Sequence, residues 1–404
     1  MIKQLTAIAF ALMAATLSTA CESNQETQTL TVTNYEKANI ASSFIKGADV
    51  STLIDMEKAG FKYYDENSQE KDVLAILKDN GFNYVRLRLW NDPKDANGNV
   101  YGGGNNDLAT DLEIAKRAKA LGFKFLLDFH YSDFWTDPGK QIKPKAWENL
   151  SFDDLNKAIR DYTKETIETF KKEGVMPDIV QIGNELNSGM LWPDGKSWGS
   201  DGHEFDRLSQ LLKSAIEGFN EGKGNSDCKV MLHLAKGPDN GAFKWWFDEI
   251  AAHGVNFDII GMSMYTWWDG PVSQLQDNIK WVKQTYGKDI IIVEGGYPYT
   301  LENTDSLPND FNANDAKNSG YPATVEGQYS YLKSLLEGSD NAGATGFFYW
   351  EPTWKTGPNV TWLTKAGMDY INCGSECKIG NARENQALFD ETGKVLPSIK
   401  VFNN

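Results

Sequence analysis

Two glutamates at the ends of apolar runs are the residues best placed to do chemistry. Glu185 follows the run 179–182 through Gly183-Asn184, and Glu294 directly follows the run 290–293. A single charged residue after a buried strand is as often a solvated loop charge or an ion-pair partner as a catalytic group. Two in matching positions are more specific, because the carboxyl ends of parallel strands share one edge of a sheet. We therefore expect the two carboxylates to face each other.

A facing pair of carboxyl groups is what cleavage of a glycosidic bond requires. One carboxylic acid protonates the leaving oxygen while the other, as a carboxylate, attacks the anomeric carbon. A separation of about 5 to 5.5 Å gives retention of configuration, whereas about 6.5 to 9.5 Å leaves room for water and gives inversion. We predict the shorter separation, with Glu185 as acid/base and Glu294 as nucleophile. Glu185 then needs a pKa raised by apolar neighbours and by the charge of Glu294.

An ionised Glu294 also needs hydrogen-bond donors. Arg88 ends the second predicted strand and Tyr265 follows the sixth, so we expect both to stabilise the Glu294 carboxylate. Arg86 lies on the same face of its strand as Arg88, so one of the two arginines could instead form a structural ion pair. We favour Arg88 beside Glu294 because it lies nearer the strand end. Asn184 is a candidate donor to a sugar hydroxyl.

Aromatic residues cluster at or just after the same strand ends. The flat apolar faces of sugars stack on such rings, and an open groove of them binds a chain. For any single tryptophan, core packing is the commoner role, and Trp245 and Trp246, within a predicted helix, are assigned to packing. The candidates for the sugar-binding surface are Trp90, Tyr131, Trp135, Trp192, Trp267, Trp268, Trp350 and Trp354.

Short β-rich runs that alternate with longer helical patterns position these residues. The predicted strands are 44–49, 84–90, 123–129, 179–183, 229–234, 258–264, 290–293 and 346–350, and the main helical patterns are 72–80, 108–121, 152–173, 204–220, 243–253, 272–286 and 325–337. Eight strand-then-helix units predict an α/β fold, a (β/α)8 TIM barrel that forms a single catalytic domain over 41–404. Strands four and seven lie nearly opposite each other in such a barrel. A doubly wound open sheet is the alternative, but no glycine-rich nucleotide loop follows the first strand.

The first forty residues predict export and attachment to a membrane. After the positive start Met1-Ile2-Lys3, an apolar run too short to span a bilayer leads to Leu17-Ser18-Thr19-Ala20-Cys21, which resembles a bacterial lipobox. We predict a lipoprotein signal peptide over 1–20, a lipid on Cys21 and a flexible polar tether over 21–40. An exported bacterial lipoprotein would face the cell surface or the periplasm. An ordinary signal peptide is the alternative.

Charge and cysteine content narrow the partners. The formal net charge of −16 makes nucleic acid a poor partner, because an acidic surface repels phosphates. We expect a monomer. Cys373 and Cys377 could close a disulfide in an oxidising compartment, with a metal site as the competing interpretation. Cys228 is expected to be a lone buried or half-buried thiol.

Several motifs, spread from about Phe44 to the C-terminus, carry a family resemblance. They are Gly47-Ala48-Asp49-Val50-Ser51, Val85-Arg86-Leu87-Arg88-Leu89-Trp90, Asp128-Phe129-His130-Tyr131-Ser132-Asp133-Phe134-Trp135, Gln181-Ile182-Gly183-Asn184-Glu185, Tyr265-Thr266-Trp267-Trp268, and Val293-Glu294 with Tyr297-Pro298-Tyr299. Together they resemble glycoside hydrolase family 53, the arabinogalactan endo-β-1,4-galactanases of clan A.

This resemblance implies a substrate and a mechanism. Glu185 matches the acid/base of the family and Glu294 its nucleophile, which implies retaining endo-hydrolysis of β-1,4-galactan, the galactan side chains of pectin, without a catalytic cofactor. The matching motifs add Asp49, His130 and Asp133 to the candidate substrate-binding residues.

The resemblance also implies a structural calcium ion. In bacterial members, calcium ties a long loop after the seventh strand to a segment near the C-terminus. The matching positions are Asp305, Asn309, Asn381 and Glu384. This chain departs from the pattern, since Leu307 stands where those members have a histidine, and Asn and Glu stand for Ser and Asp. All four residues offer oxygen, which suits calcium. A metal-free polar loop is the alternative.

Three rival functions remain open at this point. Another clan A endo-glycanase, acting on mannan or xylan, would use the same two glutamates. A surface glycan-binding lipoprotein would need the aromatic groove but not the opposed carboxylates. A metal-dependent barrel hydrolase is disfavoured, because the four histidines form neither a His-x-His nor a His-Glu-x-x-His pattern; they are His130, His203, His233 and His253.

Overall fold

Eight parallel strands, each followed by at least one helix, close into a barrel. The computed structural model describes residues 32–357, 360–374 and 377–404. The strands are β1 (Ile45–Asp49), β2 (Tyr84–Leu89), β3 (Lys124–Phe129), β4 (Ile179–Ile182), β5 (Lys229–Leu234), β6 (Ile259–Met264), β7 (Asp289–Gly295) and β8 (Gly346–Tyr349). Pairing of β1 with β8 closes the ring. The predicted (β/α)8 TIM barrel is confirmed.

The longer helices form the outer layer, and short ones lie in the loops between strands and helices. They are α1 (Leu53–Lys58), α2 (Val73–Asp79), α3 (Leu108–Ala120), α4 (Phe152–Lys172), α5 (Glu204–Lys223), α6 (Asn240–Ala252), α7 (Thr266–Asp269), α8 (Val272–Tyr286), α9 (Ala313–Ser319), α10 (Val325–Ala342) and α11 (Lys365–Ile371). Polar caps set several starts; the Ser151 hydroxyl, for example, accepts from the Asp154 amide at 3.2 Å at the start of α4. Within the described ranges, no helix is both long and apolar enough to cross a membrane.

Alternation along the strands separates an apolar shell from an interior that becomes polar toward the carboxyl ends. On β2, Val85 and Leu87 join the core between strands and helices. Tyr84 points into the barrel, where an inner apolar cluster fills the lower end with Leu126, Ile179, Met231, Ile259, Ile291, Val293 and Phe348. Arg86 and Arg88 lie above that cluster on the same face and are buried. The interior therefore supports charged side chains at its upper end.

The end of the predicted tether packs on the barrel. Tyr35 meets the Tyr329 ring edge-on at 5.0 Å, and the Asn39 amide donates to Glu337 at 2.8 Å. Ala38 is buried, and its amide donates to the carbonyl of Val401 at 2.9 Å. Residues 32–40 thus belong with the barrel, which corrects the predicted domain start at 41. The signal peptide, Cys21 and the rest of the predicted tether lie outside the described residues.

Of the two interpretations of Cys373 and Cys377, a disulfide or a metal site, the structure shows the disulfide. Cys373 and Cys377 form a disulfide with their Cα atoms 5.9 Å apart. Cys228 is buried and unpaired, as predicted.

Candidate active site

Glu185 is placed by a sharp turn at the end of β4. Gly183 has a φ of 79° and Glu185 itself a φ of 48°, so the chain reverses immediately after the strand. The half-buried Glu185 side chain then points to β6, where the Ser263 hydroxyl donates to its Oε1 at 2.6 Å. No lysine or arginine pairs with Glu185 among the salt bridges of the described residues.

Glu294 is the next-to-last residue of β7, across the barrel from β4, and has cationic surroundings. Its Oε1 accepts from the Tyr265 hydroxyl at 2.9 Å, and its Oε2 lies 3.4 Å from Arg86 Nη1. The Arg383 guanidinium stacks on the Tyr265 ring at 4.3 Å and adds a second positive charge nearby. Tyr265 thus lies where the sequence placed it, beside the Glu294 carboxylate.

The two carboxylates are close enough for a double displacement. One oxygen of Glu185, one of Glu294 and a ring nitrogen of His233 all lie within 4.8 Å of one another. That spacing falls on the retaining side of the range, because inversion needs about 6.5 to 9.5 Å between carboxyl groups. These three side chains also have the donor types of a metal site, but the two guanidinium groups beside Glu294 make a cation there electrostatically unfavourable.

The two environments push the glutamates toward different protonation states. Burial, and then the charge of Glu294, raise the pKa of Glu185 to about 8, against the hydrogen bond from Ser263, which lowers it. Burial also raises the pKa of Glu294, but Arg86, Arg383 and the Tyr265 hydroxyl oppose that rise. Glu185 is therefore suited to hold a proton, and Glu294 to remain an anion.

The prediction that Arg88 lies beside Glu294 was wrong: the arginine found there is Arg86, the preceding inward-facing residue of β2. Arg86, rather than Arg88, contacts Glu294, and it also pairs with Asp49 at 2.8 Å and Asp128 at 2.7 Å. Arg88 instead pairs with Glu351 at 2.6 Å. The reason is depth: alternation puts both arginines on one face of β2 but does not decide which of them is level with Glu294, and it is the lower one. Arg88 still lines the cleft wall.

A cleft of about 680 Å³ opens above the two glutamates. Its aromatic wall stacks face to face, with Trp135 and Trp362 ring centroids 4.7 Å apart at 18°. The Arg88 guanidinium lies 4.4 Å from the Trp135 ring and holds it from below. The candidate substrate-binding residues that line the cleft are Arg88, His130, Trp135, Asn184, Tyr265, Trp267 and Trp350, together with Trp268 from the wider aromatic set.

Four candidate substrate-binding residues do not line this cleft. Asp49 is fully buried against Arg86, and Trp90 is fully buried behind Trp135 at 4.9 Å. Tyr131 points outward to α4, where its hydroxyl bonds Thr163 Oγ1 at 2.8 Å. Asp133 accepts from the amides of Asp92 and Lys145 and so fixes a loop. In the wider aromatic set, Trp354 is also buried and Trp192 does not line the cleft.

Several cleft residues were not predicted. Ser263 faces inward on β6, and Lys236 and Asp269 follow β5 and β6, so strand-end position was an available signal for them. Arg383 and Trp362 come from C-terminal segments without a strand, and the sequence held no signal that would place them in the cleft.

The four predicted calcium ligands lie where three loops meet. The Thr356 hydroxyl lies within hydrogen-bond distance of both Asp305 and Glu384 and can donate to one of these carboxylates at a time. The side-chain oxygen of Asn309 is buried and has no hydrogen-bond partner in the described chain. The side-chain oxygen of Asn381 accepts from the Arg383 backbone amide at 2.9 Å, and the backbone amide of Asn381 donates to Asp305.

A parallel eight-stranded barrel that presents two carboxylates at this spacing, below an aromatic cleft, defines a retaining glycoside hydrolase. Residues 45–402 match the glycosyl hydrolase family 53. An endo-beta-1,4-galactanase of Bacillus subtilis (strain 168) is 39% identical over 382 residues, which cover 89% of this chain and 85% of that protein.

Solved structures agree with this match. The chain superposes on the Ignisphaera aggregans GH53 catalytic domain with a TM-score of 0.83 and 40% identity, over 91% of this chain and 97% of that one. A fungal beta-1,4-galactanase structure gives a TM-score of 0.71 and 30% identity, over 89% and 98%. The chain belongs to glycosyl hydrolase family 53.

Proposed function

We propose that this protein cleaves β-1,4-galactan within the chain, with retention of configuration, and that Glu185 is its acid/base and Glu294 its nucleophile. The observation that carries the proposal is the pair of carboxylates within 4.8 Å; among the described residues, an arginine lies within ion-pair distance of Glu294 and none lies within that distance of Glu185. The family match and the galactanases among the relatives support β-1,4-galactan as the substrate.

The geometry supports two chemical steps. In the first, a Glu294 oxygen bonds the anomeric carbon as the glycosidic C–O bond breaks, and the proton of Glu185 passes to the leaving sugar oxygen. In the second, Glu185 takes a proton from water, whose oxygen attacks the anomeric carbon and releases Glu294. The Tyr265 hydroxyl and Arg86 hold the nucleophile as an anion before attack. Trp135, Trp350 and Trp362 offer stacking faces for the chain.

Incubation with linear β-1,4-galactan tests this function. We expect long oligosaccharides first and a β-configured fresh product by NMR, while Glu185→Gln and Glu294→Gln each abolish turnover. Glu165→Gln, a change on the exposed face of α4, is the matched control and keeps full activity. Cleavage of mannan or xylan in preference to galactan would overturn the substrate. Full galactan binding with no turnover by the native protein would favour a non-catalytic glycan-binding protein.

We propose a structural calcium ion at the three-loop junction, where Asp305, Glu384 and the unpartnered Asn309 oxygen would hold it. Hard oxygen donors with two carboxylates fit calcium. Asn381 is the weakest of the four proposed ligands, since its side-chain oxygen already accepts a hydrogen bond from the Arg383 backbone amide. Calorimetry of chelator-treated protein should show Tm rising when calcium is restored, and Asp305→Asn should weaken the response. No dependence of Tm on calcium would remove this proposal.

We also propose that the exported protein is a monomeric lipoprotein anchored through Cys21. The lipobox-like Leu17–Cys21 segment and the polar residues after it support this interpretation. Labelling of cells with a tagged fatty acid should mark the protein, and Cys21→Ala should abolish both the label and membrane retention. Label that persists in Cys21→Ala would exclude the anchor. Light scattering of a lipid-free form tests the monomer.

A further inference from the structure

Behind Glu185 lies a chain of hydrogen bonds that the two-step mechanism does not use. Ser263 Oγ lies 2.6 Å from Glu185 Oε1, and His233 Nε2 lies 2.8 Å from the same Ser263 oxygen. Both side chains are almost completely buried. A register shift between β6 and β7, at Met262/Ser263, places Ser263 opposite Glu294 and aims its hydroxyl into the site.

The neighbours of His233 Nδ1 decide which ring nitrogen carries the proton. The Glu185 backbone amide points at Nδ1 from 3.3 Å, and the Gln181 side-chain amide lies 3.1 Å away. A backbone N–H can only donate, so Nδ1 must accept. The Asn184 side-chain oxygen, 3.1 Å from Nδ1, already receives Arg86 Nη2 at 3.2 Å and needs no proton from the imidazole.

The ring is also neutral. Burial lowers the pKa of His233 well below its ordinary value, and the positive charge of Arg86 adds to that effect. A neutral ring with Nδ1 as acceptor carries its single proton on Nε2. That Nε2–H donates to the Ser263 oxygen, which leaves the Ser263 hydroxyl proton free to point at Glu185.

We propose that His233 and Ser263 are positioning residues that fix Glu185 Oε1 as a permanent hydrogen-bond acceptor, so that the catalytic proton is carried on Oε2. This inference rests on the proposed acid/base role of Glu185. A carboxyl oxygen that always accepts from Ser263 cannot also be the protonated one. The proton is thereby confined to Oε2, the oxygen that is free to face the leaving group. The hydrogen bond from Ser263 also prevents the carboxyl group from rotating and turning the proton away from the leaving group.

Other charges also bear on Glu185 and must be kept constant in a test. Glu294 on β7 raises its pKa, as do Asp137 after β3 and Asp269 in α7. Lys236, after β5, lines the same cleft and carries the opposite charge. Neither Ser263 nor neutral His233 carries charge, so Ser263→Ala removes the hydrogen bond to Glu185 and the one that Ser263 accepts from His233 without changing this field.

The test compares leaving groups with Ser263→Ala. A dinitrophenyl glycoside of β-1,4-galactobiose departs without acid assistance, whereas the phenyl glycoside needs the proton. We expect kcat/KM for the phenyl glycoside to fall by about tenfold or more and that for the dinitrophenyl glycoside to change by less than about twofold. The basic limb of the phenyl profile should move up by about one pH unit, because the lost hydrogen bond stabilised the ionised carboxylate.

Further variants separate positioning from folding. His233→Gln can still donate near Ser263 and should retain more activity on the phenyl glycoside than His233→Ala. Ser209→Ala removes a buried hydroxyl on α5, remote from the cleft, and should leave kcat/KM unchanged for both glycosides. An equal loss for both leaving groups, with an unmoved basic limb, would overturn the inference.

Two outcomes distinguish this inference from the proposed function. If Glu185→Gln keeps its activity on the phenyl glycoside, the acid/base assignment itself fails. If Glu185→Gln is inactive on that substrate while Ser263→Ala behaves as native, only the positioning chain fails. Nitrogen-15 NMR of the His233 ring gives a measurement without turnover, and a proton found on Nδ1 would also overturn the inference.

Discussion

Four residues just beyond barrel strands have left-handed backbones: Tyr131, Glu185, Lys236 and Glu351, with φ between 48° and 61°. This conformation costs a residue with a side chain roughly 1–2 kcal/mol. All four lie at the carboxyl ends of strands, and one of them, Glu185, is the proposed acid/base. At the scale of single residues, the placement of Glu185 therefore depends on a backbone conformation that a glutamate does not prefer.

Arg86 is the residue on which the charge balance of the site depends most. It is buried among Asp49, Asp128 and Glu294, and a lysine cannot reach all three. We expect Arg86→Lys to lower kcat by about 100-fold with little change in KM, since it weakens support of the nucleophile rather than sugar binding. Steady-state kinetics on galactan measures this. Arg160→Lys, on the surface of α4, is the control, and a native kcat in Arg86→Lys would contradict the assignment.

The protonation of Glu185 should also appear in protein stability. Its pKa is about 8 in the folded protein and near 4.5 in an unfolded chain, so between these pH values only the folded state holds the proton. Stability contributed by the protonated form is present below about pH 4.5 and is lost as pH rises through 8. Glutamine has no proton to lose.

We therefore expect Glu185→Gln to raise Tm, and to raise it more at pH 9 than at pH 5. Differential scanning calorimetry at both pH values measures the difference. Glu165→Gln should show no such pH dependence. An equal gain at both pH values would mean that Glu185 titrates near its ordinary range.

At the scale of elements, the alternation of apolar residues and the positions of the strand ends were enough to predict the barrel and to place Glu185 and Glu294 at its carboxyl end. The strand β5, for example, begins and ends at the predicted residues, Lys229 and Leu234. Alternation did not fix depth, which is why Arg86 and Arg88 were exchanged. It also did not place Arg383, since a loop segment far along the chain has no register with the barrel. Tyr131 was a different error: it follows His130, and alternation already pointed it outward to α4.

The contact between α4 and α5 gives a test at this scale. A Cβ on Gly218 of α5 would lie 2.1 Å from the backbone oxygen of Arg160 on α4, so the helices meet without a side chain between them. We expect Gly218→Ala to lower the free energy of unfolding by about 1–3 kcal/mol, because backbone must move. Urea unfolding measures this change.

Gly241, in the first turn of α6, is the matched control. A Cβ there would meet nothing nearer than 3.5 Å. Gly241→Ala should leave stability unchanged or raise it by up to about 1 kcal/mol through helix propensity. Equal effects of the two substitutions would show that α4 and α5 do not depend on this close approach.

At the scale of the whole molecule, the first described residues of the chain meet its C-terminal residues against the barrel. Ala38 bonds to Val401, and Lys46 on β1 donates to the carbonyl of Phe402 at 2.8 Å. The Phe402 ring packs on Phe82 at 4.4 Å. None of these residues lines the cleft. The contacts between the N-terminal segment and the C-terminal residues thus lie apart from the cleft that holds the two glutamates.

This separation predicts that the N-terminal segment stabilises the barrel without affecting catalysis. A chain that starts at Ser42 loses the Tyr35–Tyr329 contact, the buried Ala38 and the hydrogen bonds of Ala38 and Asn39, whereas one that starts at Val32 keeps them. Each hydrogen bond contributes about 0.5–1.5 kcal/mol, and in a chain of this length one kcal/mol changes Tm by about 1–2 °C, so we expect Tm of the shorter form to be lower by about 2 to 5 °C. Calorimetry and galactan kinetics on both forms measure this. The two forms should have the same kcat, because the cleft is untouched. An equal Tm would show that residues 32–40 do not stabilise the barrel and belong to the tether. A lower kcat of the shorter form would show that this segment affects the active site.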